Sequence, residues 1–515
     1  MKPGFVKIQN TFNASGHWTP STLTVEDAAP THVLMTGLVA NTTAVAGDFT
    51  VTGITATVNS ISRNGTNKII TATLNVNANY GDVFSIVYKG KSYPVTNNVT
   101  YSTTIKTLFL GNIIGFWTLQ ETTGTTVTDV VNGNNGSYAG TFTLNQAGVF
   151  GERSVDFNES GYISLYSAGL AAAFNSQEGY LSLWIKAKDN SNGWGSSLKS
   201  VFNLGVDANN YIRASTYTTN GFNFKYTAGG TANTTSTGEP YGTRMVNIGL
   251  RWSKTTNLLE LFINGVKNGK NTTVTGTWAG ALTNNYSKVM ANQSGTYMCF
   301  PALASDVLLL NYAPTDAKIL LSVNPNGIVC FEGDSRTQAR PWTGQALENA
   351  CFALQPTNGF AFNKRGYDIS AIGGSVVSAM AARAAVVNAK IISGYTNYLC
   401  VWIGYNNAAV STTQQIFDAI KAYCIAAKAA GWSKIVLCTE IDAVTTGWTA
   451  KYQALNVLIK ADNSFYDVLA DLGARAELQD NTNLTYYSAD HIHPNDVGFD
   501  IVRGVVQAAL QTLSL

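Results

Sequence analysis

The chain has 515 residues, enough for roughly three domains at about 150 residues each. Only 12% of them are charged, against a usual ~25%, yet 45% are hydrophobic and 11% aromatic, which excludes a disordered polyelectrolyte. With 33 Lys+Arg against 31 Asp+Glu the net charge is +2, without a long run of either sign, which argues against a chain built to coat nucleic acid or an anionic membrane. No stretch approaches ~18 consecutive apolar residues, so no transmembrane helix is expected.

Residues 1–24 show little pattern and read as a joining segment. Their opening, MKPGFVKIQNTFNASGHW, lacks the apolar core of a secretory signal. Either a signal has been replaced by a start Met, or the protein leaves its cell by another route. Residues 25–105 alternate apolar and polar positions (GDFTVTG, ITATVNSIS, KIITATLNV, DVFSIVYKG) and are broken by turn signals such as Asn64-Gly65. Period-two alternation of β-branched residues predicts short antiparallel strands closing as a β-sandwich. The pattern resembles the immunoglobulin-like modules of bacterial and phage surface proteins, which implies a spacer or attachment role.

Residues 106–323 continue as a longer all-β stretch, with NIIGFWTL, SVDFN, GYISLY, GYLSLWIKA, MVNIGLRW, LLELFINGV and ASDVLLLNYA as strands. Their number and spacing predict a two-sheet jelly-roll sandwich. GFWTLQETTGTTVTD, SVDFNESGYISL, GYLSLWIKAKD with an inward Trp184, and LLELFINGVKNGK with a turn at Asn264-Gly265 resemble the concanavalin-like (laminin-G-like) superfamily. That resemblance specifies a fold better than a ligand. Asn, Asp and aromatic residues scattered through it serve as sugar or calcium contacts, or as turn and core residues, and no binding residue or cofactor is named.

The character changes near Asn324-Pro325-Asn326-Gly327, read as a linker. From 327 to 515, apolar strands (IVCFE, NYLCVWI, KIVLC) alternate with Ala-rich helical stretches, which predicts a parallel sheet covered on both faces. Ligands of such sheets collect at the carboxyl ends of the strands. The cysteines cluster here: none precedes Cys299, and Cys330, Cys400, Cys424 and Cys438 sit in apolar runs. There is no CxxC and no Cys/His cluster, so neither a zinc site nor a disulfide framework is expected.

Three polar motifs fall at strand ends. Gly333-Asp334-Ser335 follows IVCFE, where a small residue permits a sharp turn with an exposed hydroxyl, although such a serine is ordinarily a helix cap. Gly404-Tyr405-Asn406-Asn407 follows NYLCVWI; an Asn amide there can meet developing negative charge, or simply close a turn. Asp490-His491-Ile492-His493-Pro494 precedes the last helix and holds two of the 4 histidines. A carboxylate three residues before an imidazole can fix its tautomer. A metal pair is disfavoured, because no further His is at hand and two His separated by one residue point apart.

In that order, these motifs resemble the SGNH (GDSL-type) hydrolase family over essentially all of residues 327–515. The resemblance places the nucleophile on Ser335, the base and acid on His493 and Asp490, and the oxyanion donors on Ser335, Gly374 and Asn406. Gly373 is the neighbour of that glycine, and Gly366 is an outside candidate, because KRGYDISAIGG lacks the family's preceding Asn. The reaction implied is hydrolysis of an ester, with no cofactor.

A glycan-binding-like sandwich ahead of an esterase implies an acylated polysaccharide substrate losing small groups such as acetyl. The extracellular style without a signal is similar to phage tail fibre or tailspike proteins, which implies action on a host capsule or O-antigen, a homotrimer, and other virion tail proteins as partners. The competing readings are a catalytically inactive glycan-binding receptor protein and a secreted bacterial acetylxylan-type esterase. A thioesterase or lipase leaves the β-domains without a purpose.

Overall fold

The computed structural model describes residues 6–12, 18–25, 32–36, 46–52, 57–64, 69–74, 83–88, 91–96, 101–148, 153–158, 160–187, 199–216, 222–236, 245–268, 273–292, 302–324, 327–338 and 366–513. They belong to two compact units, one of residues 1–111 with 324–327 and 392–396, the other holding the remainder. Pro325 and Asn326 of the linker motif lie outside the described residues, as does Gly65 of the Asn64-Gly65 turn.

The first unit carries a five-stranded and a three-stranded sheet. The strands on either side of the Asn64-Gly65 turn, Val58–Asn64 and Ile69–Leu74, pair antiparallel. The stretch read as a joining segment is itself paired: Val6–Phe12 forms a hairpin with Trp18–Val25, with Ile8 opposite Leu23, and the second strand runs parallel to Lys91–Thr96. Beyond its own hairpin, its further sheet partner is a strand some 70 residues away in the chain, which makes it hard to see locally.

The second unit begins as two eight-stranded antiparallel sheets. One core lies between them, built from alternate residues: Leu181, Leu183 and Ile185 of strand Glu178–Ala187, Val246, Ile248 and Leu250 of Met245–Ser253, and Phe222, Phe224 and Tyr226 of Phe222–Ala228. Trp184 was expected to point inward. It is buried, but the two-residue period that sends Leu183 and Ile185 into this core sends Trp184 to the other face of its sheet. The turn at Asn264-Gly265 joins Leu258–Ile263 to Val266–Lys267 with φ of 50° and 79°, the left-handed pair that a two-residue hairpin requires. The chain leaves the sandwich through the helix Asp316–Val323, fastened by Arg251, whose guanidinium bonds Glu260, the Pro314 carbonyl (2.5 Å) and Asp316 (2.7 Å).

The C-terminal part of this unit is a five-stranded, all-parallel sheet. Its strands are β1 (Ile328–Gly333), β2 (Gly366–Ile369), β3 (Tyr398–Trp402), β4 (Lys434–Cys438) and β5 (Val468–Ala470), in the order β2-β1-β3-β4-β5. Five helices pack around it: α1 (Ser335–Gln338), α2 (Val377–Ala382), α3 (Ala384–Asn388), α4 (Thr413–Ala430) and α5 (Trp448–Ala461); a sixth, α6 (Asp496–Gln511), ends the described chain. Helix α4 starts at a Thr412/Gln415 capping box and stops at Gly431, whose φ of 115° suits a glycine. Phe499, Val502, Val506 and Leu510, spaced three to four residues apart, lay α6 on Val329, Phe331, Cys400 and Val436. The strand residues that face the other way include Cys330 and Glu332, and Arg383 at the α2–α3 junction pairs with Glu332 there. The described cysteines Cys330, Cys400, Cys424 and Cys438 are all buried and unbridged. Among the described residues no helix is long and apolar enough to cross a membrane.

Candidate active site

Parallel pairing gives every strand of this sheet the same carboxyl end, and Gly333 of β1 lies opposite Trp402 of β3 at that edge. The approach is close: a Cβ on Gly333 would sit 2.2 Å from the Trp402 carbonyl oxygen, so only glycine fits where the chain leaves β1. Asp334 then caps α1, its Oδ1 accepting the Arg336 N–H at 3.0 Å and its carbonyl the Thr337 and Gln338 N–H groups. Ser335 therefore stands half-buried at a helix start. Its backbone N–H has no acceptor among the described residues.

The loop before α6 brings the other two residues to it. His493 Nε2 lies 2.9 Å from Ser335 Oγ, and His493 Nδ1 lies 2.6 Å from Asp490 Oδ2. Asp490 Oδ1 also accepts the N–H groups of Ile492 (2.9 Å) and His493 (3.0 Å). The loop is clamped by the Tyr487 hydroxyl, which donates to the Leu478 carbonyl at 2.7 Å, and closes on Asn495, the cap of α6. His491 faces elsewhere, its Nδ1 2.8 Å from the Asn481 carbonyl, and no group of three metal-ligating side chains occurs among the described residues.

His493 is only 4% exposed. Burial lowers its pKa below the ordinary 6.5; Asp490 pulls the other way without cancelling this, and the Arg336 charge adds to the lowering. Asp490 is raised by burial but held below the usual carboxylate value by the two backbone N–H bonds and the His493 ring. A neutral imidazole facing a hydroxyl, with a carboxylate behind it, is the arrangement of an activated serine nucleophile.

The expected oxyanion donors sit in different settings. Ile372–Ser375 is a β-turn closed by the Ser375 N–H to the Ile372 carbonyl (3.1 Å), and Gly374 occupies its third position with φ 75°. Glycine is needed at 374 for that backbone, and nothing would lie within 4 Å of a Cβ placed there. Gly373 lies beside Ser335, where a Cβ would be 3.6 Å from Ser335 Cβ. Its N–H donates to Gln338 Oε1 at 2.5 Å. The outside candidate, Gly366, starts β2 opposite Ile328, at the amino edge of the sheet. At ~3.3 Å per residue, five residues of β1 place it roughly 17 Å from the edge that carries Ser335.

Asn406 follows β3, half-buried, with one amide N–H bond to the Ser375 carbonyl at 3.1 Å. Asn407 performs a different task, its Oδ1 accepting the Val377 N–H at the start of α2 (3.1 Å). Arg383 links these pieces: it donates to Ser375 Oγ (2.8 Å), to the Gly333 carbonyl (3.0 Å) and to Glu332. Burial lifts the Glu332 carboxyl to about 7 against the pull of Arg383.

Sequence reasoning missed the charge beneath Ser335. Arg336, next to Ser335 in the chain, is fully buried and bonds Asp334 (3.0 Å) and Glu440 (2.7 Å), while its guanidinium lies 4.8 Å from the Trp402 ring centre and 5.2 Å from that of Tyr405. Burial alone would lower its pKa; the two carboxylates reverse this and raise it. The available signal was a carboxylate two residues after strand KIVLC, Glu440, to set beside the Asp334 that follows β1. Removing one member leaves a buried charge without its partner. Arg336→Met is expected to destabilise the protein by about 3–5 kcal/mol in denaturant unfolding. A loss below about 1 kcal/mol would mean the cluster is not buried as described.

No protein-family model matches the chain, and no curated protein sequence matches it. Among solved structures it is similar to the receptor-binding domain of botulinum neurotoxin C/D mosaic serotype, at 12% identity and TM-score 0.34, over 41% of this chain and 51% of that one. It is also similar to domain 4 of AbnA, a GH43 extracellular arabinanase from Geobacillus stearothermophilus, in complex with arabinotriose (14% identity, TM-score 0.32, 41% of this chain and 98% of that one). A third is Trypanosoma rangeli sialidase (14%, TM-score 0.28, 41% and 32%). The chain thus spans about half of the neurotoxin domain and about a third of the sialidase. At these scores the reading of the site rests on its own geometry.

Proposed function

We propose that the chain is a serine esterase of the SGNH (GDSL-type) hydrolase class that removes acyl groups, of which O-acetyl is the leading case, from a polysaccharide. The observation that supports this reading is the run Asp490–His493–Ser335, with contacts of 2.6 Å and 2.9 Å at the carboxyl edge of a parallel sheet.

In this mechanism Ser335 Oγ attacks the ester carbonyl carbon while His493 Nε2 takes the hydroxyl proton. Asp490 holds the ring and stabilises the imidazolium. The negative charge on the former carbonyl oxygen meets the N–H groups of Ser335 and Gly373 and the second amide hydrogen of Asn406. The Gln338 amide oxygen gives up Gly373 to it. The C–O bond to the sugar then breaks, and the sugar hydroxyl leaves with the proton from His493. Water repeats the sequence on the acyl-enzyme, releasing the acid and restoring Ser335.

The polysaccharide part of the reading draws on the antiparallel sandwich that precedes the hydrolase-like sheet, and it carries with it the extracellular setting. In a phage the protein would act from the virion tail on capsule or O-antigen, as a trimer beside other tail proteins; in a bacterium it would be secreted.

Three measurements test the reading. Ser335→Ala should lower turnover of a chromogenic acetate ester by about four orders of magnitude without changing the melting temperature, and undiminished activity would refute it. Asn406→Ala should cost roughly 10²–10³ in kcat, whereas an unchanged kcat would remove Asn406 from the oxyanion site. The base must be neutral to accept a proton, so activity is present above the His493 pKa and lost as pH falls through it. Because that pKa is lowered, the acidic limb of kcat/KM should have its midpoint below 6.5, and a midpoint above 6.5 would contradict the burial of His493.

A further inference from the structure

One side chain holds the two halves of the candidate site together. Arg383 sits where α2 ends and α3 begins, largely buried against β1. Its Nε (2.9 Å) and Nη2 both donate to Glu332 Oε1, which fixes the guanidinium plane to the strand that leads to Ser335. Nη2 also donates to the Gly333 carbonyl at 3.0 Å, two residues ahead of Ser335, and Nη1 donates to Ser375 Oγ at 2.8 Å. One arm of the fork therefore grips the chain entering Ser335. The other grips the turn Ile372–Ser375, which carries Gly373.

The second arm reaches further. The Ser375 carbonyl accepts the Asn406 amide N–H at 3.1 Å, and the Asn406 side chain makes no other hydrogen bond among the described residues. The backbone around Asn406 is settled independently: Asn407 Oδ1 accepts the Val377 N–H (3.1 Å), and Lys451 Nζ donates to the Ala408 and Ser411 carbonyls, the latter at 2.9 Å. What those contacts leave open is the rotation of the Asn406 amide, and the Ser375 carbonyl sets it. Ser375 is itself held at three points, by its N–H to the Ile372 carbonyl, its hydroxyl to Arg383 and its carbonyl to Asn406. A hydroxyl bonded to a cation is held more firmly than one bonded to a neutral group. A lysine would reach one of these oxygens as a point charge, whereas the planar fork reaches both at once.

We propose that Arg383 is a positioning residue for ester hydrolysis: by spanning the Gly333 carbonyl and Ser375 Oγ, it sets the Asn406 amide relative to Ser335 so that the second amide hydrogen meets the oxyanion. The inference rests on the esterase reading and gives Arg383 no contact with substrate. Misplacing a reacting group by about 1 Å can cost ~10²-fold in rate, so a support one residue removed from the donor has ample leverage. Its effect falls on kcat, because the donor it aligns is used only once charge has developed.

The test combines Arg383→Met, Ser375→Ala and Asn406→Ala, singly and in pairs, in the full chain, with turnover of a chromogenic acetate ester and melting temperature as readouts. Arg383→Met should lower kcat about 10–100-fold with KM within about twofold, and Ser375→Ala, which removes only the hydroxyl, should lower it about 3–10-fold. Neither loss should multiply with that of Asn406→Ala, since each acts through the same amide. Arg383→Lys keeps the charge but not the fork, and should stay as slow as Arg383→Met. Losses that multiply in full with Asn406→Ala, a loss confined to KM, or a lysine variant at full kcat overturn the proposal. Should Arg383→Met fail to fold because Glu332 is left unpaired, Ser375→Ala decides alone, and an undiminished kcat there overturns the proposal as well. Absence of turnover in the unaltered chain, or undiminished turnover in Ser335→Ala, is visible before any of these variants is made; it defeats the esterase reading, and this inference with it.

Discussion

The Arg336 guanidinium, sealed between Asp334 and Glu440 and stacked on Trp402 and Tyr405, is the interaction on which the parallel-sheet half depends. It ties the residues that follow β1 and β4 to one charge and lays that charge against the residues ending β3. Three strand ends are thereby fixed to a common point just under Ser335. Such a cluster is poor value as a source of stability, since apolar residues of the same volume often do as well. Its worth is positional: carboxylates and guanidinium accept few geometries, so the strand ends cannot slide without stranding a charge. Arg383 repeats the device one layer up, joining Glu332, the Gly333 carbonyl and Ser375.

Much of this was legible in the sequence, for a physical reason. A parallel sheet confines chemistry to one edge, so polar motifs directly after apolar strands are informative even when 150 residues separate them. Ser335 could be read that way, while Asp490 and His493 were read from their own spacing ahead of the last helix. The glycines could not be read as well, because two adjacent glycines serve different needs: Gly374 satisfies a turn backbone at φ 75°, while Gly373 makes room beside Ser335. The Arg336 cluster was invisible for the opposite reason, since charged residues in a sequence look solvated until a fold removes the water.

The β-rich regions taught a similar lesson at lower resolution. Alternation gave the strands of the sandwich, and the Asn-Gly pair at 264–265 gave its turn. Alternation also fixes the direction of Trp184, yet its size suggested the core; in strand Glu178–Ala187 the smaller Leu183 and Ile185 take that place. The hairpin of Val6–Phe12 and Trp18–Val25 went unread because its pairing partner, Lys91–Thr96, is remote in the chain.

The contact between Gln338 and Gly373 has an energetic corollary. The N–H beside Ser335 is already occupied by a neutral amide oxygen. An incoming ester carbonyl, a weaker acceptor, would merely trade places with it and gain nothing on arrival. Only once the oxygen acquires a full negative charge does the exchange become favourable. In the proposed esterase reaction, a glutamine so placed would suppress ground-state affinity while leaving the benefit at the barrier top intact.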